Sequence, residues 1–258
     1  MKNLISALLL TTAAAAPAFA ETAIGLTGDQ TLVMIDTKTA AVSGSVEVQG
    51  VDGLLGIDFR PSNSTLVGVT VDHRIVTIDP ATGAATEIAK MNTMLPTTDG
   101  VVIVDFNPMA DRLRFMTGTT NHRVNPDTGE VTVDGPLAFE PTDMHAGEEP
   151  NIVAAAYINS YGKPEATGMY DIDATLSALI KQTKPNDGTL AAIGKLGVEL
   201  TGPIAFDVAT AADGTNTAWL AAMGGLNTVN LETGAVTESL TVTGTADPIR
   251  DIAVLPAM

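Results

Sequence analysis

Three aspartates occupy the same place in a repeated apolar phrase. Asp58 lies in Gly56-Ile57-Asp58-Phe59-Arg60-Pro61, Asp105 in Ile103-Val104-Asp105-Phe106-Asn107-Pro108, and Asp207 in Ile204-Ala205-Phe206-Asp207-Val208. Tyr157 and Ala253 hold the matching place in two further copies. Carboxylates brought together from separate strands have two chemistries open to them. They suit Ca²⁺, a hard cation that takes oxygen ligands, and they suit the paired acid–base work of a glycosidase. The competing structural use is to accept backbone N–H groups from a neighbouring segment. The structural use is the expected one and no cofactor is expected; two or three of these acids converging on a narrow channel are the candidate ligand or calcium centre.

Other chemistry-bearing residues are few. In Asp111-Arg112-Leu113-Arg114 the alternation puts Arg112 and Arg114 on one strand face, opposite Leu113. Their guanidinium forks would grip a ligand carboxylate or tie Asp105 and Asp111 into ion pairs between repeats. His73 and His122 each precede an arginine at equivalent positions, which reads as repeat structure. His145 lies with Asp143, Glu148 and Glu149 in the longest break of the repeat, Pro136 to Pro150, and is the remaining candidate for ligand or metal binding. The sequence contains no H-E-x-x-H, no G-x-S-x-G and no Walker-type loop. Aromatic residues make up only 4% of the chain, which argues against a site that stacks sugar rings.

The elements that must position these side chains are strands. An apolar run ending in Asp or Asn, a turn closed by Thr-Gly and a second short strand recur in Ile78-Asp79-Pro80-Ala81-Thr82-Gly83, Val124-Asn125-Pro126-Asp127-Thr128-Gly129 and Val229-Asn230-Leu231-Glu232-Thr233-Gly234. A degenerate copy is Ile35-Asp36-Thr37-Lys38-Thr39-Ala40. Self-similarity at this period marks the blades of a β-propeller. Aligned on these turns, the chain gives four four-strand units, with three strands left over at the amino end and one, Ile249 to Pro256, at the carboxyl end. The expected fold is therefore all-β: a single propeller of five four-stranded blades, closed by the N-terminal strands pairing with the C-terminal strand. First strands line a propeller's axis, where Asp58, Asp105 and Asp207 would meet.

Composition narrows the function. There are no cysteines, so disulfides, thiolate metal sites and cysteine nucleophiles are excluded. The formal charge is -17, a field that repels phosphate backbones and argues against nucleic-acid partners. Residues 1–20 read as a signal peptide, with Lys2, the apolar run Leu4 to Leu10 and Ala18-Phe19-Ala20 as the cleavage pattern. The mature domain then spans 21–258, without a membrane anchor, in the periplasm or outside the cell.

Several phrases, taken in order, resemble one family. They are Gly56 to Pro61, Asp105-Phe106-Asn107-Pro108 with Asp111 to Arg114, Asn125 to Gly129, Ala154-Ala155-Ala156-Tyr157-Ile158-Asn159, Tyr170-Asp171-Ile172-Asp173 and Pro185-Asn186-Asp187-Gly188-Thr189-Leu190. Together they are similar to a bacterial secreted family known only as domain of unknown function 4394. The resemblance covers nearly all of the mature chain; it implies a propeller-like repeat protein outside the cytoplasm and no particular activity. The expected function is that of a non-enzymatic binding or scaffolding module for a protein or small-molecule ligand. The alternative is a hydrolase or lyase with a carboxylate or calcium centre at the channel mouth.

Overall fold

The computed structural model describes residues 22–97 and 100–255. The expected signal peptide at residues 1–20, its expected cleavage site and Pro256 lie outside the described residues. Among the described residues every regular element is a strand. The first three are β1 (Thr22–Thr27), β2 (Thr31–Asp36) and β3 (Ala41–Glu47). Blade 1 follows as β4 (Leu54–Arg60), β5 (Thr65–Thr70), β6 (Arg74–Ile78) and β7 (Ala85–Lys90), and blade 2 as β8 (Ile103–Asn107), β9 (Arg112–Thr117), β10 (Thr120–Val124) and β11 (Val131–Val133). After the short β12 (Ala138–Phe139), blade 3 comprises β13 (Ile152–Tyr157), β14 (Met169–Asp173), β15 (Ala178–Lys184) and β16 (Thr189–Lys195). Blade 4 comprises β17 (Ala205–Thr210), β18 (Asn216–Ala222), β19 (Gly225–Val229) and β20 (Val236–Thr241), and the last strand is β21 (Ile249–Val254).

Five sheets result, antiparallel apart from the β12–β16 pair, and the fifth has the order β21-β1-β2-β3. The chain thus closes on itself: Ala23 pairs with Val254 and Ile24 with Ala253. The first strands β4, β8, β13, β17 and β21 pack side by side in a closed ring around the axis. Inner strands are buried on both faces, which is why runs such as Leu66-Val67-Gly68-Val69-Thr70 lack polar alternation. Outer strands such as β3 and β20 are mostly exposed and carry Ser, Thr and Glu. The core is divided into five clusters, one at each blade–blade contact; Val67, Val69, Phe106 and Phe115, for example, join blades 1 and 2.

The Thr-Gly turns do more than reverse the chain. Each turn between third and fourth strands is hydrogen-bonded to the stretch that follows the preceding blade's outer strand. Gln49 N donates to Gly83 O (2.8 Å), Asn92 N to Gly129 O (3.0 Å) and Gly135 N to Asn186 O (2.9 Å). Val236 N donates to Leu196 O and Val42 N to Thr243 O, both at 2.9 Å. The glycines are required by this approach: Gly129, at φ 72°, avoids a clash only because it lacks a Cβ, which would stand 2.0 Å from Lys90 O. The degenerate copy keeps the geometry with Ala40 at φ 53°.

The Pro136–Pro150 break is no free loop. β12 adds a fifth, parallel strand beyond β16, and Asp143 Oδ2 accepts Ala192 N (2.8 Å). The long connection is clasped to the outer edge of blade 3.

Candidate functional site

Asp58, Asp105 and Asp207 each offer a carboxylate oxygen to one small volume, the three oxygens lying within 4.8 Å of one another. All three residues are buried, at 4–6% exposure. They sit within β4, β8 and β17 and are held by main-chain donors. Asp58 Oδ1 accepts Phe59 N and its Oδ2 accepts Phe106 N of the next blade, both at 2.6 Å. Asp207 repeats this with Val208 N and Val254 N, again at 2.6 Å. Asp105 Oδ1 accepts Tyr157 N (2.9 Å). Each acid therefore staples its own first strand to the next one. Burial raises the pKa of Asp58 and Asp105 well above the ordinary carboxylate range, and neighbouring acids raise it further. Asp207 is pushed up to about 6 by burial, against the pull of the Val254 and Val208 N–H groups.

The hydrogen-bond pattern corrects one alignment. Tyr157 N plays the part of Phe106 N and Val254 N, so the residue matching Asp58 in blade 3 is Ala156, not Tyr157. The Tyr157 side chain instead enters the contact between blades 2 and 3, where its hydroxyl accepts from Arg114 at 3.1 and 3.3 Å. Ala253 does hold the matching place in β21. The sequence reading missed Asp251, two residues earlier on the same strand face. Its Oδ2 accepts Ile57 N (2.7 Å) and its Oδ1 accepts Ile252 N (3.0 Å), the same staple one layer along the axis. Gly56 makes room for it, since a Cβ there would lie 2.7 Å from Asp251 Oδ2. Burial pushes Asp251 up to about 7.

The other sequence candidates do not join this cluster. Arg114 is buried and bonds Asp134, Asn121, Asn186 and Tyr157. Arg112 is half-buried and donates to the Asp111 carbonyl (2.9 Å). His145 pairs with Glu148 (3.0 Å) and stands against the Phe139 ring on the outer edge of blade 3. The ion pair that links blades 1 and 2 is made by Arg60, which grips Asp111 (2.6 Å) and Asp127 (2.7 Å). Among the described residues neither Arg112 nor Arg114 forms an ion pair with the carboxylate of Asp105 or Asp111.

One further buried acid lies off the axis. Asp171 on β14 accepts Gln182 Nε2 (3.2 Å), while Asp171 Oδ2 and Gln182 Oε1 have no partner. Burial pushes Asp171 up to about 8, opposed by the Gln182 bond and the Arg114 charge and assisted by Asp173. A folded-state pKa above the unfolded value of about 3.9 means that the acid's contribution to stability is fully present below pH ~4 and is lost as pH rises towards 8. Asn has no such dependence and keeps a donor for Gln182 Oε1. Asp171→Asn is therefore expected to match the wild type near pH 4 and to exceed it by on the order of 5 kcal/mol at pH 8. Thermal melting at the two pH values checks this; an unchanged difference would refute the neutral acid.

The axial acids border a cleft at the end of the ring that carries the loops between first and second strands, with Ser160 and Thr210 at its wall. Its volume is about 20 Å³, room for one water or one ion. At the opposite end of the blades, between blades 4 and 5, lies a cleft of about 320 Å³. Pro203, Ala222, Met223, Val242 and Ile249 line it, and Asp247 is its one charged residue.

The family described as "Domain of unknown function (DUF4394)" matches residues 31–253. The chain belongs to the DUF4394 family. Among solved structures it is similar to a protein of unknown function from Bacteroides thetaiotaomicron VPI-5482, with TM-score 0.52, 16% identity and 94% of this chain covering 68% of that one. It is also similar to a symmetrical protein from a study of de novo evolutionary emergence, with TM-score 0.52, 12% identity and 92% of this chain covering all of the other. An auxiliary nutrient binding protein from Bacteroides ovatus ATCC 8483 matches with TM-score 0.44 and 13% identity, over 76% of this chain and 55% of that one. At these identities the likeness concerns fold alone. No curated protein matches the sequence.

Proposed function

We propose that this DUF4394 propeller is a non-enzymatic binding module that works outside the cytoplasm, with the cleft between blades 4 and 5 as its ligand site. The contrast between the two clefts carries the reading. A hydrolase or lyase working through Asp58, Asp105 and Asp207 needs a substrate atom among them, and about 20 Å³ admits no organic group. The 320 Å³ cleft lies at the lower end of the range of small-molecule sites, about 300–1,000 Å³. Its apolar wall with a single carboxylate, Asp247, suits a small neutral or singly cationic molecule. The leader-like residues 1–20 support export.

The test is ligand-observed NMR with a fragment set of neutral amides, polyols, small anions and quaternary amines. Neutral or cationic fragments are expected to bind the wild type. They should lose at least tenfold in affinity on Ala246→Trp, which places a ring in the cleft from an exposed position without disturbing the core. Absence of binders, or binding indifferent to that substitution, would overturn the assignment.

A further inference from the structure

The axial acids pose an electrostatic problem that the protein itself leaves open. Asp58, Asp105 and Asp207 are buried within one small volume, and the charged groups acting on them are one another and Asp251, all of the same sign. No guanidinium, ammonium or imidazole is hydrogen-bonded to any of the three among the described residues. Burying like charges without a partner costs several kcal/mol each. Asp58 and Asp207 have one backbone donor on each oxygen. Asp105 has a donor on Oδ1 only; among the described residues its Oδ2 receives no hydrogen bond, on a side chain that is 4% exposed and lines the cleft. That unmet oxygen is the observation beyond mere acidity that points to a ligand, and the space beside it is the size of one ion.

We infer that the axis of the propeller is a binding site for one divalent calcium ion, ligated by one oxygen each from Asp58, Asp105 and Asp207. The donor set is all oxygen, with no imidazole or thiolate, which selects a hard cation. The three oxygens lie within 4.8 Å of one another, so one ion can touch all three, and their strands are fixed by the ring and by the backbone staples. Ca²⁺ accepts an irregular oxygen set, whereas Mg²⁺ demands a near-ideal octahedron and gives up its water reluctantly, which favours Ca²⁺ in a closed cleft with three fixed ligands. Water entering from the Ser160 and Thr210 side completes the coordination. In this arrangement the ion joins blades 1, 2 and 4 at their inner edge. The inference concerns the axis and is independent of the ligand reading of the outer cleft.

The experiment uses purified protein stripped with EDTA and returned to 150 mM NaCl, which screens loose association with an acidic surface. Calorimetric titration with CaCl₂ is expected to give one site, at least tenfold tighter than for MgCl₂, and Ca²⁺ should displace bound Tb³⁺ with loss of its sensitised luminescence. Asp105→Asn keeps an acceptor for Tyr157 N while removing one charge, and should weaken Ca²⁺ at least tenfold. Asp213→Asn, an exposed acid, should leave it unchanged. Should Asp105→Asn fail to fold, the wild-type stoichiometry and Tb³⁺ displacement still decide the matter. No single-site binding up to 1 mM Ca²⁺, preference for Mg²⁺, or equal loss on Asp213→Asn would each overturn the assignment.

Discussion

Deletion of Asp247–Met258 is expected to leave a protein that does not fold. The described part of that segment supplies β21, the innermost strand of the fifth blade, and its loss removes the cross-strand partners of Ala23, Ile24, Gly25 and Leu26. Ile249, Ile252, Ala253 and Val254 are all buried against blades 1 and 4. At ~1.5–3 kcal/mol for each of the larger side chains, their burial alone approaches a typical net stability of ~5–15 kcal/mol. The polar losses add to this. Asp207 Oδ2 would lose Val254 N, Ile57 N would lose Asp251, and Arg250 would no longer cap the Gly28, Leu54 and Leu55 carbonyls. An open ring would also expose the edge of β1. Far-UV circular dichroism and gel filtration measure the outcome. A cooperative melt at the wild-type temperature would show that closure by the two termini does not hold the ring.

That closure was legible because strands were counted: three at one end and one at the other admit a single ring. Asp58, Asp105 and Asp207 were legible for the same reason, since a shared repeat position becomes a shared place on the axis. The misses have physical causes too. Ile152–Tyr157 is apolar throughout, so alternation gives no register, and the irregular pairing between Ile152 and Ala154 shifts the count by one. Asp251 performs the staple from a different repeat position, and only the two-residue period of β21 places it on the Ala253 face. Arg60 resembles the end of a strand in sequence, whereas its partners, Asp111 and Asp127, belong to the next blade. The Thr-Gly phrase reads correctly as a turn, but the hydrogen bond from the preceding blade is a long-range contact that no local pattern encodes. β12 escaped because two residues on a sheet edge leave no periodicity to detect.

Arg114→Met is expected to be the most damaging single substitution away from the axis. The guanidinium is 2% exposed and serves four partners at once: Asp134 (2.8 Å), Asn121 (2.8 Å), Asn186 (3.0 Å) and the Tyr157 hydroxyl (3.1 Å). Two of these, Tyr157 and Asn186, belong to blade 3, so the side chain is the polar bond between blades 2 and 3. Methionine fills part of the volume and strands three polar groups and a carboxylate that is itself 6% exposed. Breaking a buried pair by removing one partner costs ~3–5 kcal/mol. Asp134 keeps Arg123 at 3.0 Å, which sets the expectation at the lower end, about 3 kcal/mol, or a fall in melting temperature of roughly 6–12 °C for a chain of this size. Arg114→Lys should recover little, because one ammonium cannot reproduce a planar fork aimed at partners in two blades. The double change Arg114→Met with Asp134→Asn separates charge from packing. If the orphaned carboxylate dominates, the double variant should be more stable than Arg114→Met alone; if it is no better, the cost lies with Tyr157 and Asn186. A melting temperature within 2 °C of the wild type for Arg114→Met would mean that the blades are joined there by the apolar contacts of Met116, Tyr157 and Met169 instead.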